Sequence, residues 1–150
     1  MSVYQLIYRS TAARLLGDEE LARMVEQARI NNYSQAITGV LFYAEGRFLQ
    51  VLEGEEEKVE ALYEYISSDS RHGEVVRIHS GPVPQRLFTH WSMGFGQVAA
   101  SALARLSAYL DPEHLAALLP GTCNVEAFIA DTVLEFVRDE GATAHKLPRS

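Results

Sequence analysis

Cysteine occurs once, as Cys123. A single thiol excludes a disulfide framework and any thiolate metal cluster. Lysine is scarce, the arginines are scattered and the net charge is −7. Binding to a nucleic-acid backbone needs concentrated basic residues that release counterions, so nucleic acid is not an expected partner. No apolar run reaches the ~18 residues of a membrane span, and Met1 leads straight into a strand pattern without the segments of a signal peptide. No membrane partner is expected, and a cytoplasmic location follows as the default. There is no P-loop, no GxGxxG, no HExxH and no GxSxG. His72, His79, His90, His114 and His145 lack metal-ligand spacing, so no metal site is expected. Cys123, between Pro120-Gly121 and the last helical segment with no evident partner base, reads as incidental.

What remains is a soluble, globular composition: 47% apolar and 22% charged over 150 residues, enough for one domain and an appendage. No internal repeat or low-complexity stretch interrupts it. The chain is organised around Ile37 to Gly54, two strands joined at Ala44-Glu45-Gly46-Arg47. Ile37 to Tyr43 is dense in β-branched and aromatic residues, as a strand buried on both faces would be. On the returning strand Phe48, Gln50 and Leu52 share one face, with Leu49 and Val51 on the other. Gln50 is the anomaly: a glutamine between apolar neighbours is buried and needs partners for its donors and its carbonyl. It is either a core glutamine tied to its neighbours or a residue facing a bound polar ligand.

Val3 to Arg9 reads as a first strand, with Tyr4, Leu6 and Tyr8 on one face. Asp18 is placed to cap a helix running to about Asn31, with Leu21, Met24, Val25 and Ala28 as its apolar stripe. Asn31-Asn32 is read as the end of that helix. A second helix spans roughly Glu55 to Ser68, with Val59, Leu62, Tyr63 and Ile66 at the same spacing. The acidic run Glu53 to Glu60 is read as its solvated start, favourably placed at the positive end of the dipole. After a polar turn from Asp69 to Gly73, Glu74 to Gly81 resembles a fourth strand, with Pro82 and Pro84 marking its end or an edge position. Phe88 to Gly96 gives a fifth. The expected fold is α+β, a ferredoxin-like βαββαββ five-stranded mixed sheet with two helices on one face.

Beyond Val98 the composition changes to Ala-rich helical segments at Ala99 to Leu110 and Glu113 to Leu119, then Val125 to Arg138. These are expected to pack on the open sheet face or on a neighbouring subunit. The division is therefore 1–97 as the domain, 98–140 as a helical cap or output segment and 141–150 as a disordered tail.

The polar residues that stand out lie where the helices meet the sheet. Each has a bland explanation: Tyr8 as a core tyrosine, Asn31 and Asn32 as caps, Arg71 and His72 as surface residues. Together they would ring a slot between two helices, with Tyr8 and Gln50 at its floor. A flat, heteroatom-rich ring suits such a slot.

LIYRSTA, ARINNYSQAITGVLFYAEGRFLQVLEGEEEKV, DSRH and FTHWSMGF together resemble the BLUF domains, blue-light sensors that use flavin. The resemblance covers about residues 1 to 97, and Tyr8, Asn32, Gln50, Trp91 and Met93 match the family's functional positions. It implies FAD, with FMN or riboflavin as alternatives, bound noncovalently between the two helices. By analogy Asn31, Asn32, Asp69, Arg71 and His72 would hold the ring edge and the nearby ribityl or phosphate groups. Light would drive electron and proton transfer from Tyr8 to the flavin, and recombination would leave Gln50 rearranged. Trp91 and Met93, whose bland role is core packing, would relay the change to the C-terminal helices. The implied protein is a photoreceptor, not an enzyme, forming a homo-oligomer and acting on an effector protein in trans. Two rivals stand beside it: a small ferredoxin-like enzyme using Tyr8, Arg71 and His72, and a cofactor-free oligomerisation module.

Overall fold

A computed structural model describes residues 3–70, 72–88, 93–97 and 100–109. The elements run β1 (Val3–Ala12), α1 (Asp18–Ser34), β2 (Thr38–Ala44), β3 (Arg47–Gly54), α2 (Glu56–Ser68), β4 (His72–Val83), β5 (Gly94–Gln97) and α3 (Ala100–Tyr109). The strands form one sheet in the order β4-β1-β3-β2-β5. The first four make antiparallel pairs, and β5 joins β2 in parallel, so the sheet is mixed and ferredoxin-like as the residue pattern implies.

Local chemistry explains the elements. At the hairpin between β2 and β3, Glu45 and Gly46 both have positive φ, at 45° and 85°, the turn whose twist matches that of the flanking strands. Gly39 is required for a different reason. A Cβ there would lie 1.9 Å from the Val51 carbonyl oxygen, so only hydrogen lets β2 approach β3. β1 and β3 register with Leu6 opposite Leu52 and Tyr8 opposite Gln50. The face bearing these residues is roofed by α1 and α2, and Leu6, Leu21, Val25, Phe48, Leu52 and Val59 form its core. On the other side α3 lies against β2 and β3, burying Leu103 and Leu106.

Several boundaries differ from the sequence expectation. α1 runs to Ser34, so Asn31 and Asn32 sit inside its last turn. The helix stops because Ala36 turns to φ 56°, while the N–H groups of Gln35 and Ile37 both reach the Asn32 carbonyl. Its N-cap is Gly17, not Asp18, and Glu20 reaches back to the Gly17 N–H at 3.4 Å. β1 extends to Ala12, and pairing with it draws His72 and Gly73 out of the expected turn into β4. That strand is an edge, which is why it tolerates Pro82 within its span.

The acidic run is not uniformly solvated. Glu53 is fully buried on β3, and Glu60 is held in a two-pronged ion pair with Arg77, at 2.7 Å on each prong. The fifth strand spans Gly94–Gln97, with Met93 just before it. Trp91, Arg71, Leu115, Leu118, Cys123 and the segments from 110 onward lie outside the described residues.

β4 carries a bulge. Arg9 pairs with Val76 and Thr11 with Gly73, so Val75 and Glu74 together oppose Ser10. Glu74 takes φ 43° to make this possible. The extra residue brings His72 and Arg77 to the same face of the sheet, although five positions of regular alternation would put them on opposite faces.

Candidate functional site

Three side chains from adjacent central strands form a row: Tyr8 on β1, Gln50 on β3 and Leu41 on β2, each directly opposite the next in register. They are the floor of an open cleft between α1 and α2. Met24 and Ala28 of α1 and Leu62 and Ile66 of α2 give it apolar walls. Asn31 and Asn32 enter from the last turn of α1, Asp69 from the C-terminal cap of α2 and His72 from the start of β4. Asn32 is 2% exposed.

The floor is hydrogen-bonded. Tyr8, 1% exposed, donates its phenolic hydrogen to Gln50 Oε1 in a short bond. Gln50, 4% exposed, donates through Nε2 to Met93 Sδ at 3.2 Å. A primary amide has two N–H donors and two acceptor positions. Among the described residues those two bonds use one of each, and the amide borders the cleft. Burial pushes the Tyr8 phenol well above its usual range, and the neighbouring Tyr63 ring adds to the effect. The phenol is neutral at any physiological pH.

Behind the floor a second set of contacts fixes Tyr8. Tyr63 meets it edge-on, with ring centroids 5.6 Å apart. Arg77 lies 4.7 Å above the Tyr63 ring and pairs with Glu60, which also accepts from Tyr4 Oη at 2.5 Å. Arg77 holds the Glu60 carboxyl below the usual carboxylate range, against the opposing effect of burial. At the rim, His72 Nδ1 lies 3.0 Å from Ser10 Oγ and its ring packs on Phe48.

Of the site residues expected from sequence, Tyr8, Asn31, Asn32, Gln50, Asp69 and His72 line this one cleft. Met93 touches Gln50 from the side. Arg71 and Trp91 lie outside the described residues. Sequence reasoning missed Gln27 and Tyr65, which also line the cleft. Gln27 had a usable signal, since it is four residues before Asn31 and so on the same helix face. Tyr65 had none, because it falls off the apolar stripe of α2.

The arrangement pairs a neutral phenol, able to give up an electron and a proton together, with an amide able to exchange donor for acceptor by rotating. A family profile described as "Sensors of blue-light using FAD" matches residues 3–94. A photoactivated adenylate cyclase subunit beta-like protein of Euglena gracilis is 30% identical over 148 residues, covering 97% of this chain and 16% of that protein. The chain thus spans less than a fifth of the length of the curated relatives first matched, at 16% in each of three. Among solved structures, the dark state of the BLUF protein BlrB superposes with a TM-score of 0.63 at 27% identity, covering 89% of this chain and 96% of that one. The ground state of BlsA gives 0.66 at 25% identity, covering 99% and 94%. The matched profile spans most of the described sheet and both helices that enclose the cleft, and the chain belongs to the BLUF family, as a blue-light sensor that uses a flavin.

Proposed function

We propose that the cleft between α1 and α2 is the flavin site, that Tyr8 and Gln50 carry the photochemistry, and that Met93 takes up the signal. The observation that carries this reading is the hydrogen-bonded row from Tyr8 through Gln50 to Met93 at the cleft floor. The cleft fits the cofactor. Its walls are apolar, as a flat ring's faces require, and its rim offers the amides of Asn31 and Asn32 to a polar edge. Asp69, His72 and Arg71 are assigned to the ring edge and the ribityl or phosphate groups. FAD is the form we assign, from the family's description.

A bound flavin would supply a blue-light chromophore able to accept, and give back, an electron and a proton. Tyr8 is the donor, giving both from the same phenol and taking both back, so nothing is consumed. Gln50 is the group left changed. In the present arrangement its carbonyl accepts from Tyr8 and its N–H points at a thioether. A thioether sulfur only accepts. Rotation of the amide therefore sets the Gln50 oxygen against the Met93 sulfur, and Met93 must move. Trp91 is assigned to the same relay.

Output is assigned to residues 98–140, which include α3, following the domain 1–97, with 141–150 as a tail. The match to a photoactivated cyclase supports action on an effector, here a separate protein in the cytoplasm, through a homo-oligomer without enzymatic activity of its own. No described helix is long and apolar enough to cross a membrane. Purified protein should be yellow, and blue light should red-shift its absorption reversibly. A colourless protein that cannot be reconstituted with flavin would overturn the reading.

A further inference from the structure

Glu53 is fully buried, on the face of the sheet away from the cleft. Among the described residues its carboxylate has no ion-pair partner, yet four groups donate to it. Leu87 N and Phe88 N, from successive residues, reach its two oxygens at 2.8 and 3.0 Å. Gln5 Nε2 and Thr38 Oγ1 follow at 3.2 and 3.3 Å. Arg86 ties down the same corner without touching the carboxylate. It donates to the Glu53 carbonyl at 3.1 Å, to Thr38 Oγ1 at 2.9 Å and to the Ala36 carbonyl at 2.8 Å. A buried carboxyl is costly unless its oxygens are hydrogen-bonded, and these are. Here they fasten the backbone of 87–88 to β3.

That placement has a specific neighbour. Gln50 is three residues earlier on the same strand and therefore on the opposite face, towards the cleft. Phe88 is only five residues before Met93, a reach of at most about 18 Å. Phe88 is thus held by Glu53, and Met93 by Gln50 Nε2 on its Sδ and by Arg29 Nη2 on its carbonyl at 3.5 Å. The Glu53 and Gln50 contacts both originate on β3.

We propose that Glu53 is a positioning residue for light signalling: by clasping 87–88 it fixes where Met93 stands against the Gln50 amide. The inference rests on the assignment of Met93 as the group that takes up the Gln50 change. With the clasp intact, Met93 is displaced against a fixed Phe88, and the displacement passes forward into β5. Without it, the dark contact is loose and the light state relaxes along a different course.

The test uses full-length, flavin-loaded Glu53→Gln, which keeps the side-chain shape but replaces one acceptor oxygen by a donor facing donors. Flavin affinity and the size of the red shift are expected to stay as in the parent. Dark recovery is expected to change by roughly fivefold or more, the scale of modest allosteric coupling. The Met93 methyl resonance should move in the dark, a readout that does not depend on light. Met93→Ala should alter recovery similarly, and the double variant should show no further change, because both substitutions break one linkage. Additive effects, or unchanged recovery in a folded Glu53→Gln protein, would overturn the clasp. If Glu53→Gln does not fold, Thr38→Val and Gln5→Leu each remove one donor and should shift recovery in the same direction; no shift in either overturns it. A parent protein without any red shift refutes the underlying photochemical assignment instead. A parent that shifts, with Met93→Ala altered and Glu53→Gln normal, refutes the clasp alone.

Discussion

Tyr8 and Gln50 are register partners on neighbouring antiparallel strands, and the phenol of one is hydrogen-bonded to the amide carbonyl of the other. Neither can be replaced without changing what the other presents to the cleft. Tyr8→Phe keeps the ring packed against Tyr63 and removes the hydrogen that Gln50 accepts. It is expected to retain flavin, to lose the red shift, and to be destabilised by about 1–3 kcal/mol through the orphaned carbonyl. Gln50→Leu should also lose the shift, since no amide remains to rotate. Absorption spectra before and after illumination decide both; a normal long-lived shift in either variant sinks the assignment.

Asn32 tests retention of the cofactor, not photochemistry. It is buried at the cleft wall, where an amide can pair with a polar ring edge. Asn32→Ala is expected to weaken flavin binding roughly 2- to 12-fold, the equivalent of ~0.5–1.5 kcal/mol for one neutral hydrogen bond. The dissociation constant should rise more than in Tyr8→Phe. Equal constants in the two variants would contradict the role.

The Glu60–Arg77 pair predicts an acid-side dependence of stability. Arg77 lowers the Glu60 pKa in the folded protein. The pair's contribution is therefore full above the unfolded-state value of ~4.3 and disappears as pH falls through the lower folded value. Both side chains are about a third exposed, at 31% and 37%, so the contribution is up to about 1 kcal/mol. Glu60→Gln should lower the melting temperature at pH 7, and the difference from the parent should shrink as the pH is taken down below the unfolded-state value. A constant difference across that range would assign the effect to packing.

Removing everything after Gln97 separates photochemistry from output. All the candidate floor residues precede the cut, so the red shift is expected to persist. Leu103 and Leu106 are buried in α3 against the sheet, and their loss is expected to cost roughly 3–6 kcal/mol and reduce solubility. Any light-dependent change in oligomeric state should vanish with them. Size-exclusion chromatography in dark and light on both proteins settles the matter: an unchanged light response in the truncated form places the output surface on residues 1–97.

The sheet and its two roofing helices were legible because their signals are local. The apolar stripe Leu21, Val25 and the alternation Phe48, Gln50, Leu52 each select a period, and burial followed. Gln50 stood out for the same reason, as a polar residue at a core position. Glu53 did not. It heads a run of acids, and its partners Gln5, Thr38 and Leu87 are distant in sequence, so nothing local distinguishes it from its solvated neighbours. The end of α1 was misplaced because asparagine is a common terminator, whereas Ala36, which takes the left-handed conformation, carries no such signal. Tertiary pairing with β1 likewise lengthened β4 beyond what its own residues announce.

The bulge at Glu74 changes the reading frame of β4 between His72 and Arg77. On one side of it Arg77 anchors the ion pair behind Tyr63; on the other His72 closes the cleft rim, and both face the helices only because the count between them is one too many. Substitutions leave that count intact and act on one end alone. Deleting a single residue at the bulge would act on both, restoring regular alternation and turning either the rim histidine or the anchoring arginine to the far side of the sheet. For this stretch of chain, length is a stricter requirement than identity.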